Sequence, residues 1–322
     1  MKSVLLTNKY TGRPLEIVLG TVPEGFQLRF LPSQTQQALE ACVSGADYLL
    51  AGGRLQITRA VLDRAEKLKM IQRSGVGLDA LDLDAIREKG IPLYVNQGVN
   101  AESVAEHALL LILACLRKLP TVDRNTKNGI WQKQEQGVRT AELRGKTVGM
   151  IGMGNIAKTL VGLLRPFCVQ ILYYDVQRAP AAFESEHGLR FIPLGTLLAE
   201  SDVVTVHCGL TPETAHLINA ASIAGMKDGA VLVNTARGGI VDQVALADAL
   251  RAGKLAYAGL DVHAEEPFPA DYPLREIDNV ILTPHIGGVT ADSFRAMMQD
   301  AFRNIACFEQ GKLAQIAPYR FL

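Results

Sequence analysis

The sequence lacks an excess of charge of either sign. Its 322 residues hold 33 Lys+Arg and 33 Asp+Glu. That balance removes the electrostatic case for nucleic acid or an anionic membrane surface as a partner. Cysteine is scarce and scattered: five residues, at 42, 115, 168, 208 and 307, with no C-x-x-C. An odd, dispersed set points to reduced thiols in a reducing, cytoplasmic compartment rather than to a disulfide framework. No His/Cys/Asp/Glu spacing has the form of a metal site, and no G-x-S-x-G nucleophile turn occurs. The most apolar stretch, Ala108–Leu116, falls far short of the ~20 residues of a membrane span. The N-terminal run Val4–Leu6 is too short for the core of a signal peptide and reads as a first strand. No close repeat and no low-complexity tract is present.

What is there describes a globular chain with 48% hydrophobic and 20% charged residues, long enough that two domains are expected. Short apolar runs at Ser3–Leu6, Gln27–Leu31, Tyr48–Ala51, Met70–Arg73 and Pro92–Val95 alternate with helical spacing at Gln34–Val43, Arg59–Lys67 and Leu83–Lys89. Such alternation indicates a parallel α/β sheet. Gly98 and Asn100 break the pattern, and either Asn100 or Ser103 is placed to cap the helix that runs through Leu116. Residues 120–145 form the least regular stretch. From Lys146 the rhythm returns, with strands expected at Thr147–Ile151, Gln170–Tyr174, Val203–His207, Ala230–Asn234, Ala256–Asp261 and Val280–Thr283, a helix capped by Asp242, and a last helix at Thr290–Glu309. The expected fold is α/β: two Rossmann-like or flavodoxin-like doubly wound parallel-sheet domains with a cleft between them. One domain is discontinuous, 1–99 plus 289–322. The other spans 100–288. Two chain crossings near 100 and 288 would make a hinge.

The second domain is organised around V-G-M-I-G-M-G-N-I-A, Val148–Ala157. Strand, Gly152-Met153-Gly154, helix, second strand and Asp175 follow in the order that cradles a dinucleotide. Glycines let the backbone approach a pyrophosphate, and the helix N-terminus offers N–H groups and partial positive charge. Asp175, 21 residues beyond Gly154, stands where an acid accepts bonds from ribose hydroxyls. It favours NAD over NADP, because a 2′-phosphate beside a carboxylate is repelled, while Arg178 is a cation that could accommodate one. Ala157 replaces the third glycine, at a position that serves helix packing.

Ligands of open α/β sheets bind beyond the carboxyl ends of the strands. There the sequence places Arg237 after one strand, Glu266 after the next and His285 after the last. Each alone fits a bland role: a salt bridge, a solvated loop acid, a backbone-bonded histidine. Three at one edge, each beside Gly or Pro, suggest a site. A guanidinium binds a carboxylate through two parallel bonds. A histidine moves a proton to or from an oxygen as hydride moves at nicotinamide, and a bonded carboxylate fixes its tautomer and favours its charged form. His207 ends a strand at the same edge and is assigned, with Cys208, Thr214 and Gly287, to the cofactor's surroundings. His107, His187 and His216 are expected to be structural or exposed.

The chain resembles the D-isomer-specific 2-hydroxyacid dehydrogenase family over most of its length. The resemblance rests on S-G-V-G-L-D (74–79), N-A-E-S-V-A-E (100–106), the glycine loop, N-T-A-R-G-G-I-V-D (234–242), Gly259–Pro267 and P-H-I-G-G (284–288). It implies an NAD-dependent oxidoreductase acting on a small 2-hydroxy or 2-keto acid such as hydroxypyruvate or glyoxylate, with 3-phosphoglycerate disfavoured because Gly52-Gly53 stand where the phosphoglycerate enzymes usually carry Arg-Ser. It implies that Arg237 binds the substrate carboxylate together with the turn Ser74, Gly75, Val76 and Gly77, that His285 is the acid/base and that Glu266 is its partner. Asn155 and Ile156 would meet the pyrophosphate and Asp175 the ribose. Val104, Thr235, Ala236 and Asp261 would line the nicotinamide. It also implies a homodimer paired through the long helix and the region of Trp131. NAD-sensing corepressors share the fold and the three side chains, so a binding protein without turnover is the alternative reading.

Overall fold

A computed structural model describes all 322 residues. The chain divides into two compact units, Met1–Asn100 with Val289–Leu322, and Ala101–Gly288. Both are built on all-parallel sheets.

The first unit carries β1 (Lys2–Leu6), β2 (Phe26–Phe30), β3 (Tyr48–Ala51), β4 (Met70–Arg73) and β5 (Leu93–Val95), in the order β2-β1-β3-β4-β5. This is the flavodoxin-like doubly wound order. β3 and β4 are buried along their whole length, as strands covered on both faces must be. Alternate residues feed two cores: Leu5, Leu49 and Ile71 enter one, Val4, Leu6, Leu50 and Met70 the other, because successive side chains leave a strand on opposite faces. The terminal helix Ala291–Glu309 closes the second core with Met298, Ala301, Phe302 and Ile305. Thr290 and Ser293 form a reciprocal capping box at its start, satisfying two otherwise orphaned donors.

The second unit carries β6 (Thr147–Ile151), β7 (Gln170–Tyr174), β8 (Arg190–Phe191), β9 (Val203–Val206), β10 (Ala230–Asn234), β11 (Leu255–Leu260) and β12 (Val280–Leu282), ordered β12-β11-β10-β9-β6-β7-β8. This is the dinucleotide-binding order with one strand added beyond the sixth. The order reverses between β6 and β9, so the loops after these two strands diverge and leave the crevice where such sheets take ligands. The helix Ala101–Leu116 packs on the helix Asn155–Leu164 in one apolar cluster. A methyl at Gly259 would stand 3.0 Å from Leu111 Cβ and 3.2 Å from Cys115 Sγ, so the bare backbone of β11 lets the long helix sit against the sheet. That helix begins at Ala101, which leaves Asn100 immediately before it and Ser103 in its first turn.

The stretch 120–145 is more regular than its pattern suggests. It holds helices at Leu119–Lys127 and Lys133–Gly137, and neither buries a residue. With nine and five residues, both are too short to show the 3.6-residue period by which helices are recognised. The two-residue β8 and the short helix Gly12–Leu19 lie below what periodicity reveals. No helix is long and apolar enough to cross a membrane.

Candidate active site

The turn after β6 is shaped by close approach. Gly152 has φ +96°, and a Cβ there would fall 2.7 Å from both Cys208 N and His207 C. Only glycine brings β6 this near the end of β9. Gly154, the N-cap of the next helix, has no side chain to cap it, so the first N–H groups at Asn155 and Ile156 have no capping partner, and open space surrounds the Gly154 Cα. Unsatisfied N–H groups at a helix start are an anion site. Met153 is buried, and its N–H donates to Asp175 Oδ2 at 2.6 Å, while Gln177 N donates to Oδ1 at 2.9 Å. Asp175 thus fixes the loop and keeps lone pairs for further donors. Arg178 forks onto Glu184, with Nε to Oε1 at 2.9 Å and Nη2 to Oε2 at 2.8 Å. Thr235 is buried, and its Oγ1 has no partner in the protein. An open anion site, an acid at the end of the next strand and an unspent buried hydroxyl along one sheet edge fit a bound dinucleotide.

The other cofactor candidates sit around this turn. His207 is half-buried and bonded to Thr205 Oγ1 at 2.9 Å, and burial holds its imidazole down at about 4. Cys208 is half-buried, and burial pushes its thiol up to about 11. Thr214 closes an exposed turn by accepting from Thr211 N and donating to Gly209 O. Val104 is buried on the long helix.

The loops after β10, β11 and β12 carry the expected trio, of which Glu266 and His285 meet directly. Arg237 is half-buried, with Nη1 donating to Ala236 O at 2.6 Å. Asn234 steadies its loop, accepting from Ala236 N and donating to Arg237 O. His285 Nδ1 lies 2.7 Å from Glu266 Oε2. The carboxylate can only accept, so Nδ1 carries the hydrogen and Nε2 is left for a ligand. Burial pushes the Glu266 carboxyl up, but His285 and the His263 N–H outweigh it and hold it below its ordinary value. His285 adopts φ +57°, a left-handed conformation rare for a residue with a Cβ.

That conformation is held by Asp261, 1% exposed. His285 N donates to Asp261 O at 2.7 Å. The Asp261 carboxylate accepts from Ile286 N at 2.9 Å, Gly287 N at 2.8 Å and Thr283 Oγ1 at 2.5 Å, with His107 Nε2 at 3.4 Å. Burial opposes this charge, yet His107, Thr283 and the two N–H groups bring the carboxyl down to about 2. His107 therefore stands directly behind the His285 loop, although its place mid-helix in the sequence gives no sign of it. His263, never singled out in the sequence, is a second buried group at this edge. His107 is invisible to motif reading because its partners, Asp261 and Thr283, lie more than 150 residues along the chain.

In the first unit, Ser74 N donates to Ala51 O at 3.0 Å, and the N–H groups of Gly75, Val76 and Gly77 find no acceptor within the protein. Arg73, 7% exposed, ties this turn down through Nε to Gly77 O at 2.6 Å and through Nη1 to Gly52 O. Consecutive unsatisfied N–H groups in a turn form a concavity for an anion.

A family model described as D-isomer specific 2-hydroxyacid dehydrogenase, NAD binding domain, matches residues 109–287. The chain is 41% identical to hydroxypyruvate reductase of Thermotoga maritima over 252 residues, 77% of this chain and 80% of that protein. It is 38% identical to D-3-phosphoglycerate dehydrogenase of Archaeoglobus fulgidus over 270 residues, 84% of this chain and 50% of that one; the chain thus spans about half the length of that relative. Among solved structures, D-lactate dehydrogenase from Aquifex aeolicus, complexed with NAD and lactic acid, superposes with a TM-score of 0.89 at 29% identity, covering 99% of both chains.

Proposed function

The chain belongs to the D-isomer-specific 2-hydroxyacid dehydrogenase family, and from that membership we propose that it is an oxidoreductase that moves hydride between NAD(H) and a small 2-hydroxy or 2-keto acid of the hydroxypyruvate or glyoxylate kind. One observation carries the reading: the Glu266–His285 pair at 2.7 Å, set at the same sheet edge as Arg237 and an open helix N-terminus. NADH, when bound, supplies the hydride. Arg237 holds the substrate carboxylate by a bidentate contact. Glu266 keeps the imidazole of His285 turned so that Nε2 meets the substrate oxygen, and stabilises the ring while it is charged. In reduction, His285 Nε2 gives its proton to the carbonyl oxygen. In oxidation it takes the hydroxyl proton back. The N–H groups of Gly75, Val76 and Gly77 are assigned to a substrate carboxylate.

NAD is preferred over NADP on this reading. Asp175 repels a 2′-phosphate, and Arg178, the nearby cation, is already engaged by Glu184. A homodimer is inferred from the face formed by the Ala101–Leu116 helix and the two helices after it, where Leu110, Leu119, Trp131 and Val138 stand more than half exposed. Clustered apolar exposure of this kind marks an interface, and a second copy is the partner assigned to it.

The test is a panel of 2-keto acids with NADH and NADPH. Hydroxypyruvate or glyoxylate should oxidise NADH. His285→Ala should lose about 10²–10⁴ in rate and still bind NADH. Protein that binds NADH yet reduces no 2-keto acid is a sensor and not an enzyme.

A further inference from the structure

Residue 263 lies where the loops of all three site residues meet. His263 follows β11 and is 6% exposed. Its Nε2 is 3.0 Å from Thr283 O and its Nδ1 is 2.9 Å from Tyr272 Oη. A carbonyl cannot donate, so Nε2 carries the hydrogen, and the second ring nitrogen pairs with the phenol. Burial, with the Glu266 charge behind it, holds the Tyr272 phenol above its ordinary value, so this donor keeps its proton. Phe268 and Tyr272 meet the ring edge to face at centroid distances of 5.0 and 5.4 Å.

Apart from the Tyr272 contact, the bonds from residue 263 end on parts of the proposed site. His263 N donates to Glu266 Oε1 at 2.9 Å, while the other carboxylate oxygen receives His285 Nδ1. Thr283 O, the acceptor of the His263 ring, also accepts from His285 N at 3.0 Å. Gly238, next to Arg237, rests on the same residue: a Cβ there would lie 2.0 Å from His263 C and 2.4 Å from Ala264 N. The backbone of 263 thus abuts the Arg237 loop, its N–H aims Glu266, and its ring holds the strand end from which His285 departs.

Resting on the acid–base reading of His285 given above, we propose that His263 is a positioning residue. It locks the Glu266 loop and the His285 loop to each other, so that the carboxylate and the imidazole stay at bonding distance when a substrate arrives. The titratable groups around the pair are His263 and Tyr272 behind Glu266, and Asp261 and His107 behind the His285 loop.

Three variants test this in the intact protein: His263→Phe, which keeps the aromatic packing and removes both ring bonds; His263→Gln, which keeps a donor near the Nε2 position; and Tyr272→Phe. Steady-state reduction of glyoxylate and hydroxypyruvate is followed across pH, with NADH affinity from fluorescence and thermal midpoints alongside. His263→Phe should lower kcat roughly ten- to a hundredfold, the scale of a small misplacement of a reacting group, with NADH affinity kept. The alkaline limb of the kcat/KM profile should move to lower pH, since a loosened carboxylate stabilises the charged imidazole less. His263→Gln should recover most of both effects. Should His263→Phe fail to fold, the other two carry the same readouts, with Tyr272→Phe expected to shift the limb in the same direction. Wild-type kcat and an unmoved pH profile in the variants overturn the proposal, as does a fall in kcat that follows thermal stability alone with the profile unmoved. Wild-type protein inactive on every 2-keto acid removes the enzyme reading and this inference together. An active wild type with indifferent variants removes only this inference.

Discussion

Alanine substitution at Gly152 and at Gly154 should give opposite signatures, although the two residues share one loop. At Gly152 the backbone is left-handed, φ +96°, and a Cβ would press to 2.7 Å on the backbone of His207 and Cys208. A positive φ costs a residue with a Cβ about 1–2 kcal/mol, and displacing packed backbone costs about 1–3 more. Gly152→Ala should therefore lose about 2–5 kcal/mol and melt roughly 5–15 °C lower. At Gly154, φ is −76° and ψ −169°, extended backbone open to any residue, with nothing near a Cβ. Alanine is a poorer N-cap than glycine by several tenths of a kcal/mol, and the lower entropy of the unfolded chain returns about 0.4–1 kcal/mol. Stability should hardly move. The added methyl would instead stand at the face from which a pyrophosphate reaches the N–H groups of Asn155 and Ile156. An ill-fitting contact of about 1.5–3 kcal/mol raises the NADH Kd roughly ten- to a hundredfold. Calorimetry and fluorescence titration of the two variants read the two effects separately. Gly154→Ala binding NADH as the wild type does would refute the placement of the pyrophosphate. Gly152→Ala melting with the wild type would refute the steric argument.

Further outcomes are expected. Asp175→Ala should narrow the ratio of kcat/KM with NADH to that with NADPH, while an unchanged ratio would show that this acid does not meet the ribose; because Asp175 also holds Met153 N, a modest loss of stability should accompany it. Trp131→Glu should convert a dimer to a monomer on size exclusion, and dimeric Trp131→Glu, or a monomeric wild type, rules out that face. Stability should fall in two stages on acidification. His207, held at about 4, lies below the ordinary histidine value of about 6.5, so the unfolded chain takes the proton first and stability declines as pH falls from about 6.5 toward 4. Asp261, held at about 2, contributes stability that is complete above about 4 and is lost as pH falls from there toward 2. Urea melts at stepped pH check both, and His207→Gln should abolish the first decline alone.

Much of the fold was legible because parallel strands buried on both faces are short continuous apolar runs. Val203–Val206 and Ala230–Asn234 are buried throughout and stand out in the sequence for that reason. The helices at Leu119–Lys127 and Lys133–Gly137 were not legible, since neither reaches three turns and a 3.6-residue period needs a longer window to show. The site divides in the same way. Gly152, Gly154, Arg237, Glu266 and His285 could be picked out because each lies in the loop that leaves the carboxyl end of a strand, so its address is local.

The alternation of strand and helix, the glycine turn and the chemical types delivered to the strand ends are all written in neighbouring residues. What holds those groups in place arises only once the sheets are assembled. His263 reaches Thr283 20 residues away, and Asp261 reaches Ile286 25 residues away. Gly238 is required by the backbone of His263, and Gly152 by the end of β9. These are contacts between separate strand ends, set by sheet order and register, and no local pattern encodes them. The glycine loop shows both sides. Its two glycines look equivalent in the sequence, yet the fold itself needs Gly152, whereas nothing in the protein stands near a Cβ at Gly154.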